Sequence, residues 1–191
     1  MTEKHIINRE LKADSVVSEF FNDKEIVELG KIILFFESQM LEETKEVNTE
    51  KRYKSFLRSD SIRLLDKHRV YTFDYKKQEK LYSNLDTIFF DSFWDIGFIQ
   101  DTYKKDKQYD FFNIKSYDKY GQFLEKLSKQ NVFFEDYHFS TVIVNDFLSP
   151  NASSNLIVHY KNYNFKDIKV RLIYSLHYIY QNEFYFKKLK K

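Results

Sequence analysis

The chain has 191 residues, with 31 Lys/Arg against 29 Asp/Glu, 20 Phe and 15 Tyr, but 3 Gly, 1 Pro and no Cys. That length suffices for one domain with an ordinary core, and the missing thiols exclude disulfides and thiolate metal sites. Gly30, Gly97 and Gly121 stand alone, which excludes the glycine-rich loops that cradle nucleotide phosphates. The net charge of +2 hides an asymmetry: residues 1–50 carry 6 Lys/Arg against 12 Asp/Glu, and residues 151–191 carry 8 against 2. Such a distribution suggests a polar face for a partner, and end-to-end self-association accounts for it equally well. Phe, Tyr, Ile, Asn, Lys and Met together number 89, against 12 for Gly, Ala, Arg and Pro, the signature of an A/T-rich coding genome such as that of a low-GC bacterium, phage or mobile element. Charged residues from Glu3 onward argue against a secretory leader, and no apolar run approaches the ~20 residues that span a bilayer. The expectation is a soluble cytoplasmic protein without a membrane partner.

In chain order, Asp14–Phe21 reads as a short helix, or as part of the next one broken near Asn22. Asn22 or Asp23 caps a helix running to about Glu43, with Ile26, Leu29, Ile33, Phe36 and Met40 on one stripe that Ile32 and Phe35 widen. Its other face carries Glu25, Glu28, Lys31 and Glu42 and reads as solvated. Thr49–Leu57 and Asp60–His68 read as two helices separated by Ser59-Asp60-Ser61, a capping cluster. A short strand follows at Val70–Tyr75. Residues 76–112 are ambiguous between helix and strand, with Phe89, Phe90, Phe93, Trp94 and Phe98 expected in the core and the polar run Gln100–Asp110 in a loop. Tyr117, Tyr120, Phe123, Leu124 and Leu127 have helical spacing.

The alternation of Ile168, Val170, Leu172, Tyr174, Leu176, Tyr178 and Tyr180 predicts a long strand. Leu156–Phe165 pairs with it through a turn near Lys166-Asp167, and Thr141–Val144 is a third strand, or Ser140–Leu148 a helix. Ser149–Asn155 is a loop. The expected fold class is therefore α+β: one domain over residues 1–191, with a helical part over about 1–130 packed with a C-terminal antiparallel β-sheet over about 132–186.

No catalytic constellation is enforced by spacing. Asp86, Asp91, Asp95 and Asp101 flank the aromatic cluster as solvating carboxylates, the five His are scattered, and neither cofactor nor metal is expected. Arg63-Leu64-Leu65-Asp66-Lys67-His68 lies on a predicted helix, and Arg171-Leu172-Ile173-Tyr174-Ser175-Leu176-His177 on the predicted strand. Their Arg-x4–6-His spacing resembles the catalytic motif of the HEPN ribonuclease superfamily, in which a helical Arg and His from two protomers act on an RNA phosphodiester. The resemblance covers only these residues and implies an endoribonuclease using Arg63 and His68. The preferred expectation is a non-enzymatic protein that binds stoichiometrically to a larger protein or RNA–protein complex. A bacterial nuclease or toxin is the expected target, as for anti-CRISPR and immunity proteins. A nucleic-acid-binding regulator is a third reading. Contact is expected through the basic end, at Lys161, Lys166, Lys169, Arg171, Lys187, Lys188, Lys190 and Lys191, where cations interleave with aromatics that meet phosphates and bases.

Overall fold

The computed structural model describes residues 2–67, 71–100, 108–144 and 156–189. Helices α1 (Glu3–Ala13), α2 (Ser15–Phe20), α3 (Asp23–Thr44), α4 (Thr49–Lys67), α5 (Tyr75–Asn84) and α6 (Thr87–Phe93) precede an antiparallel pair, β1 (Trp94–Gln100) and β2 (Gln108–Ile114). Then come α7 (Lys119–Ser128), α8 (Val132–His138) with a π-helical turn Phe139–Ile143, a 3-10 turn Tyr160–Asn162, and α9 (Ile168–Leu189). The protein is α+β and mostly helical.

Two separate helices stand before α3. Asp14 accepts from the Val16 and Val17 N–H groups to start α2, and the chain opens at Phe21 before Asn22 starts α3. Asn22 and Glu25 form a reciprocal capping box that satisfies donors a helix start leaves orphaned. The stripe Ile26, Leu29, Ile33, Phe36 and Met40 is buried, as its spacing predicts. Gly30 lets α1 and α3 touch, because a Cβ there would lie 1.9 Å from Asn8 Oδ1. Phe36 stacks on Tyr178 of α9 with ring centroids 5.0 Å apart, and Phe111 of β2 meets Tyr180 at 5.9 Å and Phe184 at 5.8 Å. The apolar core thus runs from α3 through α9 to the hairpin.

The largest correction concerns the end of the chain. Residues 168–180 lie in a helix, and the region expected to be β-rich, about 132–186, is helical or irregular wherever it is described; the sheet lies at 94–114. Alternation misled because α9 is buried on every side. The apolar residues fall at every second position, but Arg171, Ser175, His177 and Gln181 between them are also buried, the first three with internal partners. An element buried all round has no polar face, so periodicity does not identify it and length must, and thirteen residues exceed the usual strand of about 5–6. The turn expected at Lys166-Asp167 is the start of this helix, where the Asp167 carboxylate accepts from the Lys169 N–H. Leu156–Phe165 forms helical turns, and Thr141–Ile143 belongs to the π-helical turn.

Two further differences arise from one residue. Thr49–Lys67 is a single helix, and Tyr71–Asp74 has no regular secondary structure. Asp60 does not cap. It is fully buried, and its carboxylate accepts from Tyr178 O–H (2.7 Å), the Tyr71 N–H (2.7 Å) and Arg63 (3.1 Å). The segment 71–74 is pinned again where the Phe73 N–H donates to Asn182 at 2.9 Å. Phe89, Phe93 and Trp94 are in the core, whereas Phe98 is 62% exposed. The polar run expected as a loop lies outside the described residues over 101–107, as does the loop expected at 149–155, and Gln108–Asp110 begin β2. No described helix is long and apolar enough to cross a membrane.

Candidate partner-binding surface

The residues expected to form a basic face are dispersed. Lys161 and Lys166 are exposed. Lys169 is bound to Asp14 at 2.6 Å and to Asp167 at 3.1 Å, with 12% of its side chain accessible. Arg171 is buried, with Nε 2.7 Å from Glu37 and a terminal nitrogen 2.7 Å from Glu10. Burial works against its charge, but the hydrogen bond and charge of Glu37 outweigh that and raise its pKa. Lys187 is half-buried with its ammonium 5.6 Å from the centre of the Tyr75 ring. The Lys188 side chain, Lys190 and Lys191 lie outside the described residues. Part of the charge asymmetry is therefore met within the molecule: Asp14–Lys169 and Glu10–Arg171 join the acidic start to the basic end, while Glu25–Lys119 and Glu19–Lys126 join the start to α7.

Arg63 sits on α4, paired with Asp60 at 3.1 Å and Glu43 at 3.4 Å, its guanidinium 4.9 Å from the centre of the Tyr71 ring. His68 lies outside the described residues. Arg171 and His177 share a helix rather than a strand, which separates them by about 9 Å along the axis and about 120° around it. His177 is fully buried, with Tyr137 Oη 3.4 Å from Nδ1, and burial lowers its pKa to about 3. Both groups belong to the packing of α9.

Further along α9, Glu183 accepts from Gln78 (3.3 Å) and the Phe112 N–H (3.3 Å), and Asn182 donates to Gln78 (2.9 Å). Burial raises the pKa of Glu183, as it does that of Asp60. These polar groups join α5, β2 and α9. Of the aspartates flanking the aromatic cluster, Asp86 caps α6 by accepting from the Phe89 N–H, and Asp101 lies outside the described residues. Among the described residues no three His, Asp or Glu side chains converge as a metal site requires. A polar hollow of about 540 Å³ lies between α8 and the 3-10 turn, lined by Asn131, Phe133, Asp136, His159, Tyr163 and Asp167. Its Asp167 already caps α9 and pairs with Lys169.

A second hollow has a more defined chemistry. Lys31, Leu34, Phe35 and Ser38 fall at i, i+3, i+4 and i+7 along α3 and so share one face. Lys77, Lys80 and Leu81 of α5 face them, Lys4 of α1 closes one side, and together they bound a groove of about 500 Å³. Leu34, Phe35 and Leu81 supply its apolar surface. Lys31 is held at the edge by Glu28 (2.7 Å) and the Asn84 carbonyl (2.8 Å), and Lys77 by Glu42 (2.6 Å). Glu28, expected on a solvated face, is buried and also accepts from the Asp86 N–H at 3.0 Å. Lys4 and Lys80 are exposed and meet no carboxylate among the described residues. An apolar surface with an ammonium rim can hold an apolar side chain between carboxylates. Reading the sequence missed this site, although the face of α3 and the run Lys76-Lys77-Gln78-Glu79-Lys80-Leu81 were its local signals.

No protein-family model, curated protein or solved structure matches the chain.

Proposed function

We propose that the protein acts without catalysis, by stoichiometric association with a larger protein or RNA–protein complex, and that it grips a protein segment bearing carboxylates around an apolar anchor. The observation that carries this reading is the groove, where the ammonium groups of Lys4 and Lys80, unpaired among the described residues, stand beside Leu34, Phe35 and Leu81. Apolar contact supplies affinity there, and the lysines select the sign of the partner and speed its arrival. Inhibition of a bacterial nuclease or toxin, in the manner of an anti-CRISPR or immunity protein, is the use such an association would serve.

The test is fluorescence anisotropy with a labelled peptide carrying Leu and Phe anchors flanked by Glu, alongside its Lys-flanked counterpart and a single-stranded RNA. The Glu-flanked peptide should bind preferentially, weaken as salt rises, and lose about tenfold or more in affinity to Lys4→Glu/Lys80→Glu. Equal binding by the reversed protein rules out the groove. Preferential RNA binding that depends on Lys161 and Lys166 transfers the function to nucleic-acid contact.

A further inference from the structure

The sheet has an edge that the other described residues leave open. In the β1–β2 register Ile96 faces Phe112, Gly97 faces Phe111 and Phe98 faces Asp110. The Phe112 N–H donates to Glu183 at 3.3 Å, away from β1. Ile96–Phe112 is thus a non-hydrogen-bonded pair, and since the pattern alternates, the N–H and C=O groups of Ile96 and Phe98 point out from the sheet. Among the described residues nothing pairs with them there. Their side chains are open too, Ile96 at 61% and Phe98 at 62% exposure. Proteins usually guard such an edge with lysine, proline or a bulge, and Trp94–Gln100 has none of these.

We propose that β1 is a strand-addition edge through which two copies of this chain join, antiparallel and two-fold symmetric about Gly97, into one continuous four-stranded sheet. The backbone permits this register, and the side chains favour it. Outward groups at 96 and 98 must pair with outward groups, and a two-fold axis at Gly97 sets Ile96 of each copy against Phe98 of the other. This makes a β-branched–aromatic cross-strand pair twice over, a favourable combination. The only charged side chain of the strand, Asp95, falls opposite position 99 of the other copy, so no like charges face each other. Gly97 occupies the axis because Phe111 packs beneath it, where a Cβ would come within 2.8 Å of the ring. This surface is independent of the groove between α1, α3 and α5, so the fate of one reading does not decide the other.

Sedimentation equilibrium of the wild-type chain from about 1 to about 200 µM, with amide hydrogen exchange at both ends of that range, tests the proposal. The expected result is a monomer–dimer equilibrium in which the Ile96 and Phe98 amides exchange fast when dilute and at least about tenfold more slowly when concentrated. Ile96→Lys/Phe98→Lys should stay monomeric with an unchanged circular dichroism spectrum. If that variant fails to fold, the exchange measurement on the wild-type chain decides. A monomer across the whole range overturns the proposal, as does a dimer whose Ile96 and Phe98 amides remain unprotected.

Discussion

Lys169 and Arg171, at the start of α9, and Lys4 and Lys80, beside the groove, are all basic residues on helices, yet they meet opposite fates. Lys169 and Arg171 find Asp14, Glu10 and Glu37, whereas Lys4 and Lys80 remain in water without a carboxylate partner among the described residues. A buried charge is tolerated only when paired and hydrogen-bonded, so the interior accepts cations that the acidic start of the chain can neutralise. An exposed charge is solvated without help and stays available to another molecule. The same residue type thus maintains the fold in one region and offers contact in the other, and net charge does not separate the two roles.

The strongest way to break this contrast is to remove the interior acid. Glu37 is fully buried, with Oε1 accepting from Arg171 Nε at 2.7 Å and Tyr53 O–H at 3.1 Å. Glu37→Ala leaves Arg171 without its buried partner and should cost about 3–5 kcal/mol of unfolding free energy in urea titration. Glu37→Leu/Arg171→Met removes both charges and should recover a large part of that loss. A double variant no more stable than Glu37→Ala would show that the pair is not what matters.

Acid tests a buried base, His177. Burial lowers the His177 pKa to about 3, whereas the unfolded chain titrates near 6.5. Between those values the unfolded state takes up the extra proton, so stability falls as pH drops through that window and is intact above it. The loss should be about 2 kcal/mol by pH 5. Asp60 and Glu183 act with the opposite sign, because burial raises their pKa values and makes the folded state the stronger proton binder above the ordinary carboxylate range. Comparison with His177→Leu isolates the histidine, since the other groups titrate in both proteins. The variant's denaturation midpoint should change less between pH 7 and 5, and parallel profiles would place the pH response elsewhere.

Two surface changes sharpen the other side of the contrast. Asn22→Ala removes the reciprocal cap of α3 and should lower stability by about 1 kcal/mol, read as a shift in the urea midpoint at unchanged slope. Lys4→Glu/Lys80→Glu should shift stability by no more than about 0.5 kcal/mol per site while weakening peptide binding, because neither side chain supports the fold. A large stability loss there would mean that the groove lysines have an internal role.

How much of this was legible from the sequence depended on whether an element has a solvent side. α3 could be read to within a residue of its ends, because Asn22 and Glu25 set its start locally and its apolar stripe contrasts with polar neighbours. The α7 region was legible for the same reason; the α+β class is right, but the strand it was read from, 168–180, is helix, and the sheet lies at 94–114 in a stretch the sequence left ambiguous. α9 was not, because its polar residues are inside and its neighbours supply the contrast that solvent normally supplies. Asp60 shows the limit at a single position. Beside Ser59 and Ser61 it has the local chemistry of a helix cap, but Tyr178, far along the chain, takes its carboxylate and the helix runs through.

The site followed the same division. The sequence by itself determined the helix-start signals, the absence of thiol and nucleotide-loop chemistry, and the separation of acidic and basic ends. Only the tertiary structure decided that Lys169 and Arg171 of the basic end are neutralised by the acidic start, and that Lys4 and Lys80, unpaired among the described residues, lie on α1 and α5 beside apolar residues of α3 and α5. The reason is physical: caps and stripes are set by residues three or four apart, whereas whether a charge is paired depends on groups brought together from distant parts of the chain.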